Sequence, residues 1–399
     1  MSANEDNFFD KPPPKLRVVP PLILRSARLP KPSDIPPRPW LYGTQLIRGF
    51  VTVLVAPGGT GKSAYAMAVA TAIAAGQTFL GQHIFTCGHT AVLNLEDPME
   101  ELDRRLAAIM IRHGLADHQL EERFFLHSGE DRSITIAAHG KDGFSVIYPD
   151  EDAIITQINE RQIVLLVVDP YAESHSLEEN SNPDMVKAAA AWRRIARATD
   201  CAILLVHHVR KGAVLDIEAA RGAKALTDSA RVGLLLSPMS PEEAEEFHIP
   251  DGDRWAYVRL DDAKVNMAPR ASKARWFRLE QVELGNHTDA YPHGDKVAAI
   301  ASWEPPSPAA TATNAQLNDV LDIINEPPAG WLYSPTQRGK DNQRWAGQVL
   351  VEQLDFTEKQ AGTLIAAWLK SGLLYRDEFR DEHRNKRIGV RVDASKRPS

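Results

Sequence analysis

The chain has 399 residues, 43% hydrophobic and 25% charged, with a formal net charge of −7; this excludes one small domain and makes two or three globular units the expectation. The acidic balance excludes a molecule whose whole surface serves nucleic acid, so any DNA contact has to come from a local basic patch. Two cysteines far apart, Cys87 and Cys201, exclude a disulfide framework or a zinc site and read as small apolar side chains in a reducing compartment.

Residues 1–41 carry KPPPK, VVPPLI and LPKPSDIPPRPW. Proline at this density disfavours helix and central strand, so the stretch reads as a proline-rich N-terminal arm with docking points at Trp40 and Leu41. The polar start MSANEDNFFD is unlike a signal peptide. No apolar run approaches the ~18 residues of a membrane span. A cytoplasmic protein, not bound to membrane, is expected.

Residues 42–290 alternate short apolar runs with amphipathic stretches. VTVLVA (51–56) predicts a strand, and 63–75 an alanine-rich helix stopped by Gly76. TAVLNLE (90–96) predicts a strand, and 98–112 a helix with Pro98 near its first turn. IVLLVVD (163–169) is a strand, 183–200 a helix and CAILLVHH (201–208) a strand. RVGLLL (231–236) and RWAYVRL (254–260) add strands, the latter opening an antiparallel edge hairpin. Strands that alternate with helices and lack polar alternation predict an α/β fold, a mostly parallel sheet covered on both faces.

SWEPPSPAATATN marks a linker over 291–314, and 315–399 begin a further unit. Helices are expected over 315–326, 343–352 and 357–372, the last with Thr357 as N-cap and Gly372 as stop. LLYRDEFRDEHRNKRIGVRVD then reads as two strands around a charged turn. Three helices followed by a hairpin is the pattern of a winged helix. Its third helix would be the recognition helix and 376–387 the wing. Lys359 and Lys370 are offset by Glu358, and the wing mixes Arg376, Arg380, Arg384, Lys386 and Arg387 with acids. Duplex DNA and a protein surface therefore both remain open as its partner.

The run APGGTGKS (56–63) fits the P-loop template, with alanine in place of the first glycine. Its glycines let backbone N–H groups turn around phosphate oxygens, Lys62 adds a point charge, and Ser63 can coordinate Mg2+. Ala56, Pro57, Gly58, Gly59, Thr60, Gly61, Lys62, Ser63 and Ala64 are the expected seat of a nucleoside triphosphate. Asp169 ends an apolar strand, where a carboxylate can hold Mg2+ through water. Glu96 ends the TAVLNLE strand as a candidate base for water attack, with Asp97 as fallback. His207 and His208 are both candidates to touch the γ-phosphate. Arg221 and Arg231 are candidates to offset charge on a neighbour's phosphates.

The order APGGTGKS, NLEDPMEELDRRLAA, LLVVDP, CAILLVHHVRKG, RGAKALTDSARV, RWAYVRLDDAKVN and RWFRL resembles the RepA-type hexameric replicative helicases of plasmids over roughly residues 42–285. The resemblance implies a RecA-like P-loop core of the AAA-type ATPases, with ATP rather than GTP as the nucleotide. It implies that Lys62 and Ser63 are the phosphate lysine and Mg2+ hydroxyl, Glu96 the catalytic glutamate, and Arg105 an arginine near the site. Asp169 becomes the Mg2+-associated aspartate, His208 the phosphate sensor and Arg231 the finger that enters a neighbouring subunit. It further implies a ring, a hexamer, whose loop 210–224 faces the pore, with Arg210, Lys211, Arg221 and Lys224 touching single-stranded DNA. A replication initiator or loader is an implied partner. The loop after Asp169, PYAESHSLEEN, lacks the basic pair that the best-known member has, which bears on the DNA track and not on ATP binding. The expectation is thus an ATP-driven ring motor on single-stranded DNA, a replicative helicase of a plasmid, phage or integrated element. The alternatives are an ATP-gated DNA-binding regulator with little unwinding activity and, third, a small-molecule kinase.

Overall fold

The computed structural model describes residues 22–24, 26, 30–142, 145–179, 181–209, 224–269, 271, 273–306, 312–327, 331–337, 344–381 and 383–398. Arg210, Lys211 and Arg221, expected at the DNA track, lie outside them, as does the side chain of Lys224. The chain divides into two units, Met1–Arg38 and Pro39–Ser399. The described residues of the first include a turn of 3-10 helix, Pro32–Asp34, and the exposed apolar Leu22, Ile23 and Leu24.

In the second unit the elements run β1 (Trp40–Tyr42), β2 (Leu46–Ile47), β3 (Val51–Pro57), α1 (Lys62–Ala75), β4 (His89–Asn94), α2 (Met99–His113), β5 (Phe124–Ser128), β6 (Ala138–His139), β7 (Val146–Ile147), α3 (Glu151–Glu160), β8 (Ile163–Asp169) and α4 (Asn182–Thr199). They continue as β9 (Ala202–Val209), α5 (Lys224–Ser229), β10 (Val232–Pro238), α6 (Pro241–Glu246), β11 (Tyr257–Val265), β12 (Arg275–Glu283) and β13 (Lys296–Trp303). The C-terminal elements are α7 (Asn314–Asn325), α8 (Ala346–Leu354), α9 (Glu358–Ser371), β14 (Leu374–Arg380) and β15 (Lys386–Val392).

Nine strands form one sheet in the order β13-β12-β11-β10-β3-β9-β8-β4-β5. From β10 to β5 every pairing is parallel, and β10 to β13 pair antiparallel. The parallel half is built from the unbroken apolar runs, because helices cover both of its faces. On one face α1 packs Tyr65 and Ile73 against β3 and Phe277. On the other, α4 and α3 bring Trp192, Ile195 and Ile158 onto β8 and β9. Gly76 ends α1 in the left-handed region at φ 68°, and Ser181 caps α4 by accepting from the Asp184 N–H. This is a RecA-like P-loop architecture.

Several boundaries move. Trp40 and Leu41, expected in the arm, belong to β1, and Leu41 is fully buried. The linker expected over 291–314 contains β13, whose residues Lys296 to Trp303 pair with Glu283 to Trp276. VAAIASW supplies enough apolar surface for an edge strand, and the proline run begins only after it. Residues 254–256, expected to open a strand, instead end a 3-10 turn, Asp251–Ala256, before β11. Cys201 is buried as expected, whereas Cys87 is exposed.

The C-terminal elements have their own core of Trp345, Leu350, Ile365, Trp368 and Val390. Helix α9 carries a capping box in which Gln360 Oε1 accepts from the Thr357 N–H at 2.8 Å. The same Gln360 donates through Nε2 to the Glu246 carbonyl at 2.5 Å, and Lys359 pairs with the Glu246 carboxylate at 2.6 Å. The leading turn of the expected recognition helix therefore faces α6 of the nine-stranded α/β core. That occupies the residues that a recognition helix would offer to a groove.

Candidate nucleotide and hydrolysis site

Strand β3 runs straight into the glycine loop, and α1 starts at Lys62. Gly59 and Gly61 stand at φ +78° and +79°, a region that side chains rarely adopt. A Cβ on Gly61 would lie 2.8 Å from Leu279 of β12, so space and backbone both require glycine there. Thr60 Oγ1 donates to the Pro57 carbonyl at 2.9 Å and pins the loop across its mouth. Gly61 caps α1 without any side-chain acceptor, leaving the first helical N–H groups for a ligand's oxygens.

Lys62 is only 7% exposed. Burial pulls its pKa down, the charges of Asp169, Glu96 and Asp97 push it back up, and Arg105 adds to the lowering. The Ser63 hydroxyl hydrogen-bonds Asp169 at the end of β8. Asp169 is buried, and burial raises its pKa against the opposing effects of Ser63, Lys62 and His208. Its Oδ1 has no hydrogen-bond partner among the described residues. An orphaned buried carboxylate oxygen beside a serine hydroxyl fits a hydrated Mg2+.

The two histidines of β9 separate by strand alternation. His208 pairs in register with Ala56 at the start of the loop, and its pKa is lowered first by burial and then by Lys62, with Glu96 and Asp169 opposing. His207 points to the other side, towards Tyr171 at 6.0 Å between ring centres. Burial, then His208 and His175, bring its pKa down to about 4. Of the two, His208 is the one that the strand sets beside Lys62 and Asp169.

Glu96 lies two residues past the end of β4, not on the strand as expected; its side chain is exposed, and among the described residues its carboxylate has no hydrogen-bond or ion-pair partner. Asp97, the fallback, is committed elsewhere. Arg105 grips both of its carboxylate oxygens at 2.7 and 3.1 Å and reaches Glu101 at 3.1 Å. Asn94 and Ser128 escaped sequence reasoning, because strand register sets their partners; Asp97 and Arg105 were both named from the sequence, but not as each other's partner.

A cleft of about 600 Å3 continues from Gly61, Lys62 and Ser63 outward between α2 and the β12–β13 hairpin, past Arg104, Gln281 and Lys296. Arg104 is tied to Asp295 of the hairpin at 3.1 Å.

Arg231 is not brought to this site. Its N–H donates to the Val51 carbonyl at 3.3 Å, at the start of β3, whereas the loop begins at the other end of that strand. At ~3.3 Å per residue the strand separates the two by about 20 Å. Its side chain is exposed.

Residues 19–214 match a family model described as an AAA domain. Among solved structures, the chain is similar to the RadB recombinase, at 14% identity over 58% of this chain and 88% of that one, with a TM-score of 0.37. It is also similar to the KaiC-like protein PH0186 from the hyperthermophilic archaeon Pyrococcus horikoshii OT3, at 13% identity over 65% and 94%, with a TM-score of 0.40. No helix among the described residues is long and apolar enough to cross a membrane. With its glycine corner at the mouth of a parallel sheet and its acidic strand end, the chain has a RecA-like P-loop fold, and the residues that build this corner lie within the stretch that matches the AAA-domain model.

Proposed function

We propose that the chain is a Mg2+-dependent ATPase that assembles as a ring, a hexamer, and moves on single-stranded DNA as a replicative helicase. The observation that carries this is the position of Arg231. An exposed arginine at the far end of β10 does not reach its own chain's phosphates but is free to enter those of another copy. A site completed in trans requires assembly, and assembly around a strand is the natural use of such a ring.

In this reading the Gly58–Gly61 backbone and Lys62 hold the triphosphate, with the nucleoside lying outward in the cleft beside α2. The Ser63 hydroxyl and Asp169 would hold Mg2+, which would supply charge compensation at the phosphates. Glu96, its carboxylate unpaired among the described residues, orients and deprotonates the attacking water. His208 sits where it registers the γ-phosphate, and Arg231 of a neighbour stabilises the developing charge. Arg210, Lys211 and Lys224 track the DNA backbone in the pore. The C-terminal elements act as a winged-helix-type module that receives an initiator or loader.

The test is hydrolysis with and without single-stranded DNA, with particle mass from light scattering, on wild type, Lys62→Ala, Arg231→Ala and an equimolar mixture of the two variants. We expect DNA stimulation in a hexamer-sized particle, loss in each variant alone, and partial recovery in the mixture, where one subunit gives the arginine and another the nucleotide. A monomer whose slow hydrolysis ignores DNA and the Arg231 change overturns the motor and favours a DNA-binding regulator.

A further inference from the structure

The exposed Glu96 stands on a corner that is fixed from every side. Strands β8, β4 and β5 place Asp169, Asn94 and Ser128 on one rung of the sheet. Asn94 and Ser128 are both buried. The Leu95 N–H donates to the Asp169 carbonyl at 2.8 Å, so the corner is tied to the metal-side strand. Asn94 Oδ1 accepts the N–H groups of Glu96 at 3.1 Å and Asp97 at 2.7 Å, closing an Asx turn around the glutamate. Asn94 Nδ2 donates to Asp97 Oδ2 at 3.1 Å. Ser128 Oγ donates to the Asp97 carbonyl at 2.8 Å, and the Gly129 N–H donates to the Asn94 carbonyl at 2.8 Å. A Cβ on Gly129 would sit 2.7 Å from the Leu95 backbone, so β5 presses directly against the turn. From the other side Arg105 of α2 holds the Asp97 carboxylate with both arms.

We propose that Asn94 and Ser128, with Arg105 behind Asp97, are positioning residues that aim the Glu96 carboxylate at the attacking water. The proposal rests on the reading of Glu96 as the base. The side chain of Glu96 has no partner of its own among the described residues, so the backbone beneath it sets where its Cα–Cβ bond points. That backbone has every N–H from Leu95 to Asp97 assigned. The arrangement spends two buried polar side chains from adjacent strands on a three-residue turn, which a mere strand end does not need. Arg105 also lines the nucleotide cleft, so Asn94 and Ser128, which do not, are the residues that separate aiming from binding.

The experiment is single-turnover ATP hydrolysis together with the Kd of a fluorescent ATP analogue, for Asn94→Ala, Ser128→Ala, Glu96→Gln and the double variant Asn94→Ala with Glu96→Gln. A misplacement near 1 Å lowers the hydrolysis rate about 100-fold. The expected result is a loss of that order in Asn94→Ala with the Kd held, and no further loss when it is added to Glu96→Gln. Ser128→Ala gives the same pattern more weakly and stands in if Asn94→Ala does not fold. If Asn94→Ala hydrolyses like wild type, or lowers the rate again in the Glu96→Gln background, the positioning role is overturned while Glu96 keeps its part. If Glu96→Gln itself hydrolyses at the wild-type rate, the base assignment and the positioning role fall together.

Discussion

Replacing Asp169 with asparagine separates two things that the carboxylate does. In the nucleotide-free protein it is a buried charge, 3% exposed, with Oδ1 unpartnered among the described residues. Burial is the first cause of its raised pKa, which means the ionised form is disfavoured in the folded state. Asparagine keeps the shape and still accepts from Ser63 but removes the charge. Relieving one unsatisfied buried group returns roughly 1–3 kcal/mol. Lys62 then loses its largest favourable partner but keeps Glu96 and Asp97, and the new amide leaves a donor unpaired, so the net gain is about 1 kcal/mol. For a domain of this size that is a rise of roughly 2–4 °C in Tm. Mg2+–ATP at about 100 times its Kd should stabilise the wild type by roughly 2.7 kcal/mol, and the variant by much less, because the oxygen that faces the metal is gone. Differential scanning fluorimetry with and without Mg2+–ATP, and with EDTA, reads both effects. A variant that keeps the full Mg2+-dependent rise refutes the metal role. A nucleotide-free Tm several degrees below wild type refutes the account of Asp169 as a strained charge and makes it a structural anchor.

The buried His207 gives a stability slope with pH. Its folded pKa of about 4 lies below the ordinary value of 6.5, so the unfolded chain takes up a proton that the folded chain refuses. Stability should therefore be lost as pH falls from 6.5 towards 4, by up to roughly 3 kcal/mol at the lower end. Urea unfolding at pH 7, 6 and 5 should show a shallower fall in His207→Phe than in wild type, and equal slopes refute the assignment. His175, also lowered by burial, keeps a residual slope in the variant. At the C-terminal elements, Gln360→Ala removes both the capping-box acceptor and the bond to the Glu246 carbonyl. The loss should be about 1–2 kcal/mol, seen as faster hydrogen exchange in α9, with nucleotide affinity unchanged. Unchanged exchange in α9 means that this contact does not hold the helix on the core.

What could be read from the sequence divides along a physical line. The glycine loop, Lys62, Ser63 and Asp169 were legible because their chemistry is local: a strand, a turn and a helix in sequence order, and a carboxylate at a strand's end. The sheet's parallel half was legible because strands buried on both faces are unbroken apolar runs. The half-polar β12 leaves no such trace, and the prolines after Trp303 drew the whole of 291–314, the apolar β13 included, into a linker. His207 and His208 were indistinguishable because an all-apolar strand gives no phase; pairing of His208 with Ala56 supplies it. Arg231, expected to serve a neighbour's phosphates, lies at the end of β3 away from its own glycine loop, since a parallel strand's two ends are as far apart as the strand is long. Asn94 is the sharpest case. Its neighbours in the sequence suggest a polar strand end, and its meaning comes from Asp169 and Ser128 arriving on the same rung from distant parts of the chain. The glycine loop and its lysine follow spacing, whereas the contacts that converge on Asn94 follow register, and register is decided by the packing of the whole sheet.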